Sequence, residues 1–259
     1  MPIITLPDGN NLTFPDKVTG LDVAEKISKS LAKQAMIISV DGDLKDLDHI
    51  IEKDCSIKIF TSKNPEGLET IRHDTAHITA MAVQELFPGT QVTIGPVIEN
   101  GFYYDFASEK PFTEDDLEKI ERHMKQVASR KLDIQRHHIS RDEAVELFSS
   151  MKEDYKVDII SSIDSNEQLS FYKQGDFIDL CRGPHVPNTS FLKHFKLMKV
   201  AGAYWRGDQS NQQLQRIYGT CWASESDLES YLKKLEMAKE RDHRLIGPQM
   251  ELFHQQEEA

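Results

Sequence analysis

Two pairs of side chains with the same spacing are the residues best suited to chemistry in this sequence. His73 and His77 lie four positions apart, and Cys181 and His185 repeat that interval more than a hundred residues later. Side chains four positions apart project from one face of a helix. If residues 72–77 are helical, both imidazoles of the first pair can therefore act on a common group.

Three interpretations of these four residues are open from the residues alone. One thiolate and three imidazoles suit zinc, which in a catalytic site keeps a position for water and lowers its pKa to about 7. Without metal, the imidazoles can serve as general base and hydrogen-bond donors while a lysine stabilises the developing oxyanion. A single histidine on a helix, however, is more often a satisfied polar group than a catalyst.

The elements that must position these residues begin with a small α+β module at residues 1–62. Short apolar runs predict strands near residues 3–6, 12–14, 35–40 and 56–60. The helical spacing of apolar residues from Leu21 to Leu31 predicts a helix between the second and third strands. Asp8-Gly9 and Asp41-Gly42 are typical of tight hairpin turns. The order of these elements predicts a ubiquitin-like β-grasp fold.

A larger part follows the linker-like residues 61–67. A helix at residues 68–86 carries His73 and His77, and its many apolar residues predict that at least one of the two is partly buried. Further predicted elements are strands at 91–94, 102–106, 196–200 and 215–218, helices at 113–130 and 140–150, and a hairpin at 171–180 that places Cys181 at a strand end. A last helix is predicted from Ser224 to just before Gly247.

Composition limits the class of protein. The 259 residues carry a net charge of -12, which disfavours a general nucleic-acid coat but leaves room for a local basic face. No apolar run is long enough for a membrane span, and the first residues do not form a secretory signal. Three scattered cysteines are typical of a reducing compartment, so we expect a cytoplasmic protein without membrane association.

Several motifs, in order, resemble the N-terminal half of bacterial threonyl-tRNA synthetases. The most specific is Asp179-Leu180-Cys181-Arg182-Gly183-Pro184-His185. The other matching stretches are 69–73 with His77, 94–105, 155–157, 186–188, 194–199 and 202–208. Together they cover essentially the whole chain.

The resemblance implies an α+β protein of three parts. These are a TGS-like β-grasp domain at 1–62, an editing domain with antiparallel sheet and helices at 63–223, and a linker helix at 224–259. The editing domain is similar to that of alanyl-tRNA synthetases. In the family the class II catalytic core and the anticodon-binding domain follow, and we expect this sequence to lack both.

The implied activity is post-transfer editing, the hydrolysis of serine wrongly attached to tRNA(Thr), within an enzyme that ligates threonine to tRNA(Thr) with ATP. The expected catalytic residues are His73, Lys156, His77, Asp179 and His185. The expected substrate-binding residues are Cys181, Tyr104, Gly95, Pro96 and Arg206. For Lys156 the sequence by itself favours an exposed surface side chain.

Cofactor expectations follow the same resemblance. Editing without metal is favoured, because a lysine close to the reacting ester makes an ion unnecessary for the oxyanion charge. The alternative is a zinc set of His73, His77, Cys181 and His185, as related alanyl editing domains use. ATP, magnesium and a further zinc are expected only in the absent catalytic core.

The expected partner is the acceptor end of tRNA(Thr) carrying serine. Basic and aromatic residues that could contact RNA cluster near the end of the editing domain: Lys193, Lys196, Lys199, Arg206, Phe191, Phe195, Tyr204 and Trp205. Two other functions are open, a zinc-dependent hydrolase of another aminoacyl-tRNA ester and a non-enzymatic tRNA-binding fragment. The fragment is expected to be a monomer and the intact enzyme a homodimer.

Overall fold

The computed structural model describes residues 1–241, and its first module is a β-grasp fold. Five strands form a sheet in the order β2-β1-β7-β4-β5, with β1 and β7 parallel and the other neighbours antiparallel. The strands of this sheet are β1 (Ile3–Thr5), β2 (Asn11–Thr13), β4 (Ile37–Val40), β5 (Asp43–Asp46) and β7 (Cys55–Phe60). β3 (Val18–Thr19) and β6 (Ile50–Ile51) form a short separate pair, in which β3 contacts helix α1 (Gly20–Ile27); helix α2 (Lys29–Ala32) packs against α1. The predicted β-grasp fold is confirmed.

This module differs from the prediction in its helix and in three strands that were not predicted, β3, β5 and β6. The expected single helix is broken at Ser28, whose extended backbone ends α1 and whose side chain caps α2 by accepting from the Leu31 amide. A serine competes with helical hydrogen bonds in this way more readily than an apolar residue. The unpredicted strand β5 has little apolar content, and it exists because it pairs with β4.

The second part is built around one long helix, α3 (Pro65–Leu86). It starts three residues earlier than predicted because Pro65 occupies the first helical turn, where a missing amide costs nothing. The other helices are α4 (Glu114–Ser129), α5 (Arg141–Ser150), α6 (Asp154–Ser162) and α7 (Glu225–Glu240). The strands are β8 (Gln91–Val92), β9 (Val97–Ile98), β10 (Gly101–Ala107), β11 (Ile134–Ile139), β12 (Leu169–Gln174), β13 (Phe177–Leu180), β14 (His194–Tyr204) and β15 (Gln213–Trp222).

Two antiparallel sheets organise these elements. One has the order β14-β15-β10-β8, with β9 attached to β10, and α3 and α4 pack on it. The other is the three-stranded sheet β11-β12-β13, whose apolar residues pack with those of α5 and α6. Buried residues of α3, including Ile78 and Met81, join the main hydrophobic core. The long helix therefore lies at the centre of the second part and fixes the direction of its histidines.

Strand β11 and helix α6 are among the elements of this part that were not predicted. Strand β11 has only one fully buried apolar residue, Ile134, and is defined by its six-residue pairing with β12. Helix α6 has nine residues, too few turns for helical spacing to stand out. Both depend on partners that are distant in sequence, and α6 carries Lys156.

The end of the described chain agrees with the predicted final helix. Helix α7 begins after Ser224, whose side chain accepts from the Asp227 amide, and it runs to Glu240. The predicted continuation toward Gly247 lies outside the described residues. Within residues 1–241, no helix has the length and apolar character needed to cross a bilayer.

Candidate active site

A cavity of about 730 Å³ lies between α3, α6 and the end of β13. This volume is in the range of small-molecule sites. Eight of the ten residues expected to form the site line it: His73, His77, Gly95, Pro96, Tyr104, Lys156, Asp179 and Cys181. Apolar side chains, among them Ile94, Val97 and Ile159, also line it.

Helix α3 presents both histidines to this cavity. His77 is buried, whereas His73 is half-buried, so the expectation that at least one is partly buried is confirmed. Their Nε2 atoms are 3.3 Å apart, as the four-residue spacing on a helix allows. His77 Nδ1 donates to Asp179 Oδ2 at 3.0 Å. His73 therefore occupies the more accessible position, with His77 and a carboxylate behind it.

A buried ion pair forms the second wall of the site. Lys156, 3 % exposed, contacts Asp179 and donates to the Thr93 carbonyl oxygen at 2.6 Å and to Tyr104 Oη at 3.2 Å. Tyr104 Oη in turn donates to Asp179 Oδ2 at 2.7 Å. An ammonium group has three N–H groups, and here each has an acceptor. Lys156 is thus held as a fixed positive charge at the cavity wall.

This network shifts the pKa values of its members. Burial alone favours neutral His77, but the Asp179 carboxylate outweighs it and raises the pKa of His77 to about 9. Burial also opposes the charge on Asp179, yet Lys156 and His77 hold its pKa well below the usual range. Near neutral pH the site thus contains one buried carboxylate shared by two cations.

The thiol of Cys181 belongs to a second charged group. Its Sγ lies 3.0 Å from His73 Nε2 and 3.2 Å from His185 Nε2. Burial disfavours the thiolate, but His185 and His73 outweigh this effect and hold the pKa of Cys181 well below its ordinary value. His185 Nδ1 contacts the Asp74 carboxylate, which, against the effect of burial, raises the pKa of His185 well above its ordinary value.

The same four side chains satisfy the donor requirements of a zinc ion. The candidate ligand atoms of His73, His77, Cys181 and His185 all lie within 4.8 Å of one another. Nδ1 of His77 and Nδ1 of His185 each face a buried carboxylate, as in sites where a carboxylate orients a zinc-binding imidazole. The residues thus fit a metal as well as a metal-free arrangement.

Two expected site residues lie outside the cavity lining. His185 is buried behind Cys181, with its ring centroid 4.8 Å from that of His77. Arg206 lies on the surface, where its Nη2 is 2.9 Å from Asp158 Oδ2 of α6. The structure therefore does not bring Arg206 to the cavity. The expectation from sequence alone that Lys156 is exposed is wrong, because the unpredicted helix α6 turns its side chain inward.

Of the residues expected to contact RNA, the two phenylalanines belong to the core or pack on it, and the others are exposed or already paired with protein groups. Phe195 is buried in the main core, and Phe191 packs against that core, so stacking of a base on Phe195 is contradicted by its burial. Lys196 is paired with Glu121 at 3.1 Å, and Lys199 lies 4.9 Å above the Tyr218 ring. Lys193 and Tyr204 are exposed, and Trp205 packs against Tyr155 of α6.

Sequence reasoning assigned no role to three buried or half-buried groups around the site. Asp74 lies between the two histidines in sequence, so a carboxylate next to an imidazole pair was an available signal. Glu153 accepts from the Val92 amide at 3.0 Å, and burial raises its pKa to about 7. Asp46 belongs to the first module and accepts from the His185 amide at 2.8 Å. A contact across 139 positions leaves no local sequence signal.

Gly95→Ala is expected to disturb the polar network at this site. A Cβ at Gly95 would lie 2.2 Å from Tyr104 Cδ2, so the Tyr104 ring must shift from its position beside Asp179 and Lys156. We expect a loss of about 1–3 kcal/mol in stability, which urea unfolding measures. Gly202→Ala is the matched control, because its Cβ meets only the flexible end of Gln213; equal stability of the two variants would contradict the prediction.

Comparison with known proteins identifies relatives for both parts of the chain. Residues 2–61 match the TGS domain, and residues 169–218 match the threonyl and alanyl tRNA synthetase second additional domain. The threonine–tRNA ligase of Pelagibacter ubique is 64% identical over 100% of this chain and 41% of its own length. Those of Marinobacter nauticus and Rickettsia bellii are 60% and 59% identical, over 100% and 99% of the chain and 40% of their own lengths. The chain thus spans about two fifths of the length of these relatives.

Proposed function

The chain is a relative of bacterial threonyl-tRNA synthetases and carries their TGS and second additional domains, and on this premise we propose that it hydrolyses an aminoacyl ester on tRNA. The specific substrate proposed is serine wrongly attached to the 3′ adenosine of tRNA(Thr). The observation that carries the proposal is the convergence of His73 and the buried Lys156–Asp179 pair on one cavity.

The reaction needs one water molecule and no acyl-enzyme. The water oxygen forms a bond to the ester carbonyl carbon, the bond from that carbon to the ribose oxygen breaks, and a proton passes to the ribose oxygen. His73, the accessible imidazole, orients the water and exchanges its proton. In this proposal the charge of Lys156 stabilises the developing oxyanion through space, because its three N–H groups already have acceptors in Asp179, the Thr93 carbonyl and Tyr104.

The other polar residues hold this pair in place. Asp179 accepts from His77 and Tyr104 and contacts Lys156, so it fixes three side chains at once. Cys181 forms a wall of the cavity and contacts His73. No step requires the thiol as a nucleophile.

The specificity proposal rests on a physical limit of the synthetic reaction. Serine lacks one methyl group of threonine, and a missing methyl is worth only about 1–3 kcal/mol of discrimination in a single pocket. A second pocket that admits serine and excludes threonine by size removes the error. We place the seryl group between His73 and Asp179, where Gly95 packs directly against the Tyr104 ring and both residues line the cavity.

A zinc-dependent hydrolase is the second candidate function. The observation that favours it is the approach of one ring nitrogen from each of three histidines and the Cys181 Sγ within 4.8 Å of one another, supported by carboxylates on two of the imidazoles. His73, His77, Cys181 and His185 would hold the ion. A bound zinc would supply Lewis acidity and a water of lowered pKa. In that case Lys156 and Asp179 would orient the His77 ligand.

The remaining partner proposals concern tRNA and the longer protein. The exposed Lys193, Lys199 and Tyr204 lie on or next to β14 and suit contact with the phosphate backbone and a stacked base. We also propose that the whole enzyme ligates threonine to tRNA(Thr) with ATP, is located in the cytoplasm and is a homodimer. This chain by itself is proposed to be a monomer. If the chain binds tRNA without hydrolysing either ester, its role is tRNA binding rather than catalysis, and the experiment below detects that result.

The test is deacylation of seryl-tRNA(Thr) and threonyl-tRNA(Thr) by this chain, with and without a strong chelator, together with metal analysis of the purified protein. Selective loss of serine that a chelator does not change supports metal-free editing. Stoichiometric zinc and loss of activity on chelation support the second candidate. Binding of tRNA without hydrolysis of either ester would contradict both.

A further inference from the structure

The segment that carries Cys181 and His185 continues from β13, where the Cys181 amide still donates to the Ser170 carbonyl of β12 at 3.2 Å; beyond Cys181 it is held mainly by side chains. Residues 181–186 have no regular secondary structure. The Gly183 amide donates to Cys181 Sγ at 3.3 Å, and the Val186 amide donates to Asp74 Oδ2 of α3 at 2.7 Å. The His185 amide donates to Asp46 Oδ1 at 2.8 Å. Cys181 is thus anchored to β12, whereas the position of the His185 imidazole depends on a few individual side-chain acceptors.

One of these acceptors, Asp46, comes from the first module. It is the last residue of β5, its side chain is 13% exposed, and its Oδ2 also accepts from Tyr172 Oη at 2.8 Å. The Tyr172 ring centroid is 3.9 Å from that of His185. A Cβ at Gly183 would lie 1.9 Å from Tyr172 Oη, so the tyrosine packs directly on the segment. Asp46 thus fixes the segment both at its backbone and through the ring beneath it.

The first module is attached firmly enough to make this contact effective. Met36, Ile37 and Phe60 are buried in the main core of the second part rather than in the separate core of their own module. Leu44, two residues before Asp46 on the same strand, lines the cavity. Strand β5 therefore contributes directly to the wall of the cavity.

We propose that Asp46 is a positioning residue for ester hydrolysis, through which the TGS-like module holds Cys181 and His185 in register with His73. The inference deepens the proposed function and rests on it. It gives the first module a role within the hydrolytic site. Misplacement of reacting groups by about 1 Å can lower turnover by about 100-fold, so a lost anchor should affect turnover more than substrate binding.

The experiment compares Asp46→Ala, Asp46→Asn and the control Asp43→Ala in the full chain. Asparagine can still accept from the His185 amide and can donate to Tyr172 Oη, whereas alanine can do neither. Asp43 lies on the same strand with its side chain 81% exposed. Two readouts are measured: kcat and KM for deacylation of seryl-tRNA(Thr), and amide hydrogen exchange of a peptide spanning residues 181–186.

We expect Asp46→Ala to raise the exchange rate of this peptide at least about 10-fold and to lower kcat by about 10- to 100-fold with a smaller change in KM. Asp46→Asn should stay within about 3-fold of the unmodified protein in both readouts, and Asp43→Ala should be unchanged. Unaltered exchange and kcat in Asp46→Ala, or an equal loss in Asp46→Asn, would overturn the inference. If the unmodified chain hydrolyses no ester, the proposed function fails, and the exchange readout still tests the anchor by itself.

Discussion

Lys156→Met is expected to lower the rate of ester hydrolysis by about 10²- to 10⁴-fold and the free energy of unfolding by about 3–5 kcal/mol. Methionine keeps the shape of the side chain but removes the charge. Asp179, 1% exposed, then keeps only His77 as a charged partner, and a buried carboxylate without its cation is costly. Steady-state deacylation and urea unfolding measure the two effects.

A double variant separates the two roles of Lys156. Lys156→Met combined with Asp179→Leu removes both charges, so we expect stability to recover partly while hydrolysis stays absent. Lys173→Met, an exposed lysine on β12, is the matched control and should change neither quantity. A rate of hydrolysis in Lys156→Met equal to that of the unmodified chain would contradict the metal-free proposal. The zinc candidate would then remain, in which Lys156 acts only through Asp179.

His73→Ala is expected to lower hydrolysis by about 10²- to 10⁴-fold while changing the free energy of unfolding by less than about 1 kcal/mol. His73 is half-buried and, within residues 1–241, has no carboxylate partner, unlike His77 and His185. Its removal leaves His185 beside the Cys181 thiol, so no buried charge loses its last partner. Single-turnover deacylation and urea unfolding are the measurements.

The contrast with a neighbouring histidine makes this prediction specific. His77→Ala removes one of the two cations beside Asp179, so it should reduce both activity and stability. His138→Ala, an exposed histidine on β11, serves as the control for loss of an imidazole. A large loss of stability in His73→Ala, or unchanged hydrolysis, would show that His73 is a structural residue.

The sequence by itself determined the elements whose causes are local. The apolar spacing along residues 68–86 predicted the helix that places His73 and His77 on one face. The Gly175 turn between two apolar runs predicted the hairpin that delivers Cys181 at a strand end. Period and turn chemistry act within a few residues, so they can be recognised without partners. The β-grasp order of the first module was predicted from the same kind of local signal. The expectation that the His73–His77 and Cys181–His185 motifs act together came from their matched spacing and from the family resemblance.

Only the tertiary structure decided how charge is arranged around these residues. Lys156 is buried because α6, a short helix with a weak pattern, packs beside β8 and turns it toward Asp179. Arg206 faces Asp158 on the surface because the β14–β15 hairpin ends against that same helix. Asp46 reaches His185 from another module. The partners that bury and pair these side chains lie from 23 to 139 positions away in the sequence. The spacing of residues along the chain does not show which distant residues will come into contact.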